Sequence, residues 1–294
     1  RRSHSGQSGF KVRRRKKVVR PEAKRLVVTD IKEAFDLSER RACRLIGFSR
    51  SSHRYVPVPD QDAKVLHRMK EILAEKPRYG APMVHFMLRR EGLVVNHKRT
   101  ERIYRSAGLQ IKKRRRKRRI YKPENPLPPP MTVNQRWSMD FMHDSLHDGR
   151  TFRILTLIDE FSRECLDLEV DTSLTGHRVV RVLERLRIDR GLPSEIGIDQ
   201  GTEFTSLALE RWASDHGVNL HFARPGDKNE NAFIESFNGR LRDECLNAHW
   251  FTALKDAQRI IGDWGNEYNY DRPHGSLGGM TPKEYAARRG LKAA

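Results

Sequence analysis

Eight consecutive basic residues, Lys112, Lys113, Arg114, Arg115, Arg116, Lys117, Arg118 and Arg119, interrupt this chain. Like charges at that density repel one another and cannot share a packed interior, so no single core can run through them. The prolines at 123, 126, 128, 129 and 130 prolong the break. The chain is therefore expected to fold as separate parts on either side of an extended linker spanning 111–132. The two parts differ in charge. Up to Asn125 there are 37 Lys and Arg against 12 Asp and Glu, and beyond it 21 against 26. A front this cationic calls for an anionic partner, and nucleic acid is the default because neutralised phosphates release condensed counterions. A membrane is disfavoured: no apolar run approaches a spanning length, and no signal-peptide pattern is present. Cys43, Cys165 and Cys245 stand far apart without a CxxC pair. They fit reduced thiols of a cytoplasmic protein rather than a zinc site or a disulfide framework. The chain opens on Arg1 and not on Met, as a fragment, a processed chain or the downstream part of a fusion does.

Residues 1–26, with Lys11, Arg13, Arg14, Arg15, Lys16 and Lys17 among Ser and Gly, read as a disordered basic arm. Residues 27–56 read as a helix-turn-helix unit. Thr29 caps a first helix reaching Asp36, Ser38 caps a second that ends at Gly47, and Ser49 starts a short third carrying Arg50, His53 and Arg54. A second helical unit occupies 60–110. Its pattern gives a helix from Asp60 to Glu75, one with Pro82 in its first turn, and one capped by Asn96 and stopped at Gly108. Lys98, Arg102 and Arg105 share a face of that last helix. A basic helix face alone is usually just solvated. Two successive units with basic third helices, on a chain this cationic, favour DNA contact by Arg50, Arg54, Lys98, Arg102, Arg105 and the octet.

After Val133 the texture changes. Three strands (136–143, 151–161 and 165–170) precede a helix starting at Thr175, a short strand ending at Asp199, a helix over 205–216, a strand over 218–223 and a helix from Ala232 to about Leu246. This order predicts an α/β domain with the RNase H-like mixed sheet and flanking helices over 133–246, preceded by the all-α units. Residues 247–294 read as a C-terminal helical extension.

Three acids in this region suit phosphodiester chemistry by the two-metal route, which needs carboxylates converging on paired Mg²⁺ ions. Asp140 lies inside a strand, where an unpaired carboxylate is costly to bury. Asp199 ends a strand at the turn Gln200-Gly201. Glu235 shares one helix face with Asn231, Asn238 and Arg242, while Phe233, Ile234, Phe237 and Leu241 turn largely to the core. Each acid alone has an ordinary explanation as a turn cap or a solvated helix face. Asp159, Glu160 and Glu203 are rivals.

The spacing distinguishes them. Asp199 and Glu235 are separated by 35 residues, and Arg242 follows Glu235 by seven. With Arg136-Trp137-Ser138-Met139-Asp140-Phe141, Asp159-Glu160-Phe161-Ser162-Arg163-Glu164-Cys165, the helix from Asn231 and the tail Tyr270-Asp271-Arg272-Pro273-His274-Gly275-Ser276-Leu277, the chain resembles the DDE transposases and retroviral-type integrases. It is most similar to the downstream-frame (OrfB) product of bacterial two-frame insertion sequences, from about Val27 onward. Two positions depart from the family pattern: Glu230-Asn231-Ala232 replaces Asp-Asn-Ala, and Asp159-Glu160-Phe161 replaces Asp-Asp-Phe. The resemblance implies that Asp140, Asp199 and Glu235 are catalytic and bind two Mg²⁺, with Mn²⁺ able to substitute. It implies cleavage at terminal inverted repeats and joining to target DNA, typically through a replicated circle. Asn238 and Arg242 would face DNA. It further implies a homo-oligomer on paired double-stranded DNA ends, an upstream OrfA segment as fusion or separate chain, and a bacterial cytoplasmic, nucleoid-associated setting. The alternatives are a DNA-binding regulator with an inactive nuclease-like domain and an RNase H-like nuclease that does not transpose.

Overall fold

In the computed structural model of the chain, residues 20–56, 62–94, 96–111, 128–199, 201, 204–223 and 231–290 are described. The octet 112–119, most of the basic arm and Glu203 lie outside them. The chain divides into two compact units, Arg1–Gln61 and Asp62–Ala294.

The first unit holds α1 (Pro21–Ala34), α2 (Glu39–Ile46) and α3 (Arg50–Arg54) around Val28, Ala42 and Cys43. The first helix begins eight residues before the expected Thr29, inside the segment assigned to the arm. Pro21 supplies a preset φ at its first position. Thr29 sits mid-helix with its hydroxyl donating back to the Arg25 carbonyl, so it caps nothing. The turn between α2 and α3 is the one the sequence predicts. Gly47 takes φ +63°, and the Ser49 hydroxyl accepts the Ser52 N–H.

The second unit opens with α4 (Asp62–Glu75), α5 (Ala81–Arg90) and α6 (His97–Ser106), packed around Met69, Val84, Leu88 and Ile103. The Asn96 side chain caps α6 by accepting the Lys98 N–H. These helices are tied to the C-terminal part of the same unit. Arg90 reaches Glu284 at 2.7 Å and Lys76 pairs with Glu267. A β-carbon on Gly279 would lie 2.3 Å from the Phe86 ring, so the α5 aromatic seats directly on backbone there.

The remainder is a mixed five-stranded sheet in the order β3-β2-β1-β4-β5. Its strands are β1 (Arg136–Ser145), β2 (Thr151–Asp159), β3 (Cys165–Asp171), β4 (Glu195–Ile198) and β5 (Asn219–Phe222). β1, β2 and β3 run as an antiparallel meander, and β4 and β5 join parallel to β1. This is the RNase H-like arrangement the element order predicts. Strand alternation divides the apolar residues between two faces. Trp137, Met139, Leu155 and Leu157 pack under α7 (Gly176–Arg190) and α8 (Leu207–His216). Met142, Phe152, Ile154 and Ile158 pack under α9 (Ala232–Glu244) and α10 (Leu254–Tyr270).

The boundary expected at 246 therefore cuts through a core. Phe251, Ala257, Ile261, Trp264 and Tyr268 complete the cluster that α9 begins. Asn269, at the end of α10, accepts the Cys165 N–H at 2.8 Å and donates to the Cys165 carbonyl at 2.7 Å, tying α10 to the start of β3. Gly265 allows the approach, since a β-carbon there would sit 2.9 Å from Leu168 Cδ1. The chain closes with α11 (Pro282–Gly290). Among the described residues no helix is long and apolar enough to cross a membrane.

Candidate active site

Pairing register brings the first two acids together. Asp140 lies in β1 on the face of Ser138 and Met142, which turns toward α9. β1 and β4 pair in parallel with Ser138 opposite Gly197. Two residues further along each strand, Asp140 and Asp199 occupy matching positions, Asp199 just past the end of β4 where it is exposed. Its Oδ1 accepts the Gly201 N–H at 2.9 Å, which fixes the turn predicted there.

Glu235 comes from the first turn of α9 and is exposed. It lines a cleft of 330 Å³ with Asp140, Phe141, Met142, His143, Asn238, Gly239 and Arg242. Asp140 Oδ1 accepts the Phe141 N–H and Oδ2 accepts an N–H from the Asn238 amide, both at 2.7 Å. Burial pushes the Asp140 carboxyl up to about 6, and the Asp199 and Glu235 carboxylates push the same way against those two hydrogen bonds. Like charges gathered at one half-buried point are unfavourable by themselves and favourable around a cation.

Asn238 is 8% exposed, lines the cleft beside Glu235 and Arg242, and donates an amide N–H to Asp140. Its Oδ1 is buried without a hydrogen-bond partner among the described residues. Carboxylates are hard-oxygen donors of the kind a divalent cation such as magnesium takes, although Asp140, Asp199 and Glu235 do not each bring an oxygen within 4.8 Å of the other two here. Arg242 is exposed on the same helix face and makes no ion pair among the described residues.

Two of the rival acids, Asp159 and Glu160, are engaged elsewhere, and Glu203 lies outside the described residues. Asp159 pairs in register with Trp137, hence on the opposite face of the sheet from Asp140. It is fully buried and accepts the N–H groups of Asn134 and Ser162 and the Ser162 hydroxyl. Glu160 accepts the Ser138 hydroxyl and pairs with Arg136. A larger cleft of 720 Å³ lies between the α4–α5 turn and α10, and of its five acids Asp243, Glu244, Asp263 and Glu267 are paired with Arg78, Arg272, Arg259 and Lys76.

The expected DNA contacts divide into two groups. Lys98, Arg102 and Arg105 line one shallow cleft on α6, with Arg102 paired to Asp62 at 2.6 Å. Arg50 and Arg54 both reach Glu39, so one acid offsets two cations. The same Glu39 lies near Cys43 and His53, with ligand atoms within 4.8 Å of one another, a cluster that sequence spacing does not show.

Comparison with known proteins agrees with this fold. Two models described as "Integrase core domain" match residues 131–228 and 216–282, and one described as "HTH-like domain" matches 60–118. The second integrase-core match runs through α10, as the shared hydrophobic core does. An uncharacterised protein of insertion element IS407 from Burkholderia multivorans is 44% identical over 88% of this chain and 94% of its own length. One of insertion element IS476 from Xanthomonas euvesicatoria is 42% identical over 93% of this chain and 79% of its own. The putative transposase InsK of insertion sequence IS150 from Escherichia coli is 26% identical over 88% of this chain and 96% of its own.

Proposed function

The chain belongs to the integrase-core transposases of bacterial insertion sequences, as the downstream-frame (OrfB) type, and from that premise we propose that Asp140, Asp199 and Glu235 are its catalytic carboxylates. It is a DNA transposase, a polynucleotidyl transferase with an RNase H-like core and a DNA-binding helix-turn-helix-like domain. The observation that carries the residue assignment is the convergence at Asp140. Glu235 shares a cleft with Asp140, Asp199 ends the neighbouring strand at the matching position, both carboxylates act on the Asp140 charge, and Asn238 holds Asp140 in place.

Two Mg²⁺, or Mn²⁺ in their place, held by these three carboxylates would supply Lewis-acid stabilisation of the attacking and leaving oxygens. The protein's own part is positional. Asp140 is fixed by two hydrogen bonds, so its oxygens need no reorganisation when charge develops nearby. Arg242, exposed at the mouth of the cleft, engages a phosphate of the DNA end. Water attacks the phosphodiester at a terminal inverted repeat and releases a 3′-hydroxyl. That hydroxyl then attacks a target phosphodiester, forming one strand joint and releasing another 3′-hydroxyl. The α6 face with Lys98, Arg102 and Arg105, together with Arg50, Arg54 and the octet 112–119, holds the repeat. Assembly as a homo-oligomer on paired ends, an upstream OrfA segment and a cytoplasmic, nucleoid-associated setting complete the reading.

Incubation with pre-nicked terminal-repeat DNA, a target plasmid and Mg²⁺ tests it. Joined products are expected. Degradation alone would make the chain a nuclease, and DNA binding without any reaction would make it a regulator.

A further inference from the structure

The flank of α9 opposite Glu235 carries positive charge that makes no ion pair among the described residues. At about 100° per residue, Phe233, Phe237 and Arg240 lie on the far side of the helix from Glu235, Asn238 and Arg242. Arg163, in the turn between β2 and β3, takes φ +63°. That conformation costs a residue with a β-carbon about 1 kcal/mol or more and recurs where function maintains it. The turn lays the guanidinium 3.4 Å from the centre of the Phe233 ring. Its Nη1 is buried with no hydrogen-bond partner among the described residues.

His274 lies close by, 4% exposed, edge-on to Tyr268 at 4.8 Å. Its Nε2 is likewise buried and unpartnered. Burial pushes its pKa down to about 3, and the charges of Arg272, Arg240 and Arg163 press the same way. Positive potential is therefore concentrated at this point. Arg240 is half-buried, and its guanidinium finds the Ser236 carbonyl of its own helix but no carboxylate among the described residues. The contrast with other arginines of this half is direct. Buried Arg136 and Arg272 are matched by Glu195 and Glu244, and half-buried Arg178 and Arg190 by Asp171 and Glu164. The acid whose charge acts most on Arg163 is Glu160, which Ser138 and Arg136 already hold. A buried donor without an acceptor, as Arg163 Nη1 is here, is costly and suits an incoming anion.

We propose that Arg163 and Arg240, beside His274, form a second phosphate site, taking a backbone phosphodiester of DNA on the flank of α9 away from the carboxylate cleft. The site rests on the DNA-joining activity proposed for that cleft. It places α9 between two nucleic-acid contacts, one at Arg242 and one here.

The test measures binding of the full chain to a labelled duplex in EDTA across a range of salt concentrations, so that catalysis plays no part. Arg163→Ala with Arg240→Ala should weaken binding about tenfold, as loss of a charge-assisted hydrogen bond does. It should lower the slope of log affinity against log salt by about 0.9 for the lost phosphate. Lysine at both positions should restore most of that slope. If the double variant does not fold, Arg240→Ala alone carries the test, since its removal opens no core. A neutral methylphosphonate at the contacted position should weaken the unaltered chain and leave the folded variant indifferent. Equal affinity and slope in chain and folded variant overturn the proposal. So does inorganic phosphate binding that depends on these residues while DNA binding does not. Failure of the unaltered chain to bind any duplex would instead remove the DNA-joining reading itself.

Discussion

Asn238 Nδ2 lies 2.7 Å from Asp140 Oδ2, joining the helix that carries Glu235 to the strand that carries Asp140. One amide thus sets the separation of two acids from elements far apart in sequence. Its other end, Oδ1, is buried and unpartnered among the described residues.

Removing that amide should alter the acid limb of the reaction. The Asn238 hydrogen bond lowers the Asp140 pKa, so Asn238→Ala raises it. The acid limb of the pH–rate profile should move up by about one unit, with about a twofold loss of rate at neutral pH. An unchanged limb would mean that Asn238 does not act through Asp140.

The raised Asp140 pKa also bears on stability. The native state holds this proton more tightly than the unfolded chain, whose value is near 3.8. The contribution is therefore full below about pH 4 and lost as pH rises through about 6. A shift of about 2 units corresponds to at most about 3 kcal/mol. Asp140→Asn should raise the melting temperature of the metal-free protein at pH 7.5 and leave it unchanged at pH 4.

Asp159→Asn provides the contrast. Asp159 holds the β2–β3 turn from the other face of the sheet, so its loss should cost about 1–3 kcal/mol of stability. Cleavage per folded molecule should stay within about threefold of the original. A larger fall in folded-protein activity would bring Asp159 into the chemistry.

Gly279→Ala should loosen the α5 contact. Its φ is +84°, and an added β-carbon would meet the Phe86 ring at 2.3 Å. Overpacking of this kind costs about 1–3 kcal/mol. The expected result is a lower melting temperature and earlier proteolysis between α5 and the 275–281 segment.

Much of this was legible in the sequence because its signals are local. Gly47, Ser49 and Asn96 fix helix ends through their own backbone conformation or side-chain caps. The apolar runs of β1 and β2 imply a doubly covered sheet, and the 35-residue interval singles out Asp199 and Glu235. What escaped depends on distant partners. The alternation around Asp140 does not show that Asn238 reaches it. Residues 247–270 looked like an appendage because their pattern does not reveal the sheet face they cover. Asn269 and Gly265 disclose it only when Cys165 and Leu168 are seen beside them. Arg163 and His274 lay within motifs that sequence comparison singles out, yet their burial and lack of partners appear only in three dimensions.

The central claim concerns three carboxylates. Its most direct test is Mg²⁺-dependent cleavage of terminal-repeat DNA by Asp140→Asn, Asp199→Asn and Glu235→Gln, with end binding followed in parallel. The expected result is loss of cleavage in each variant with end affinity within about threefold of the original. Cleavage at the original rate by any one of the three would contradict the assignment.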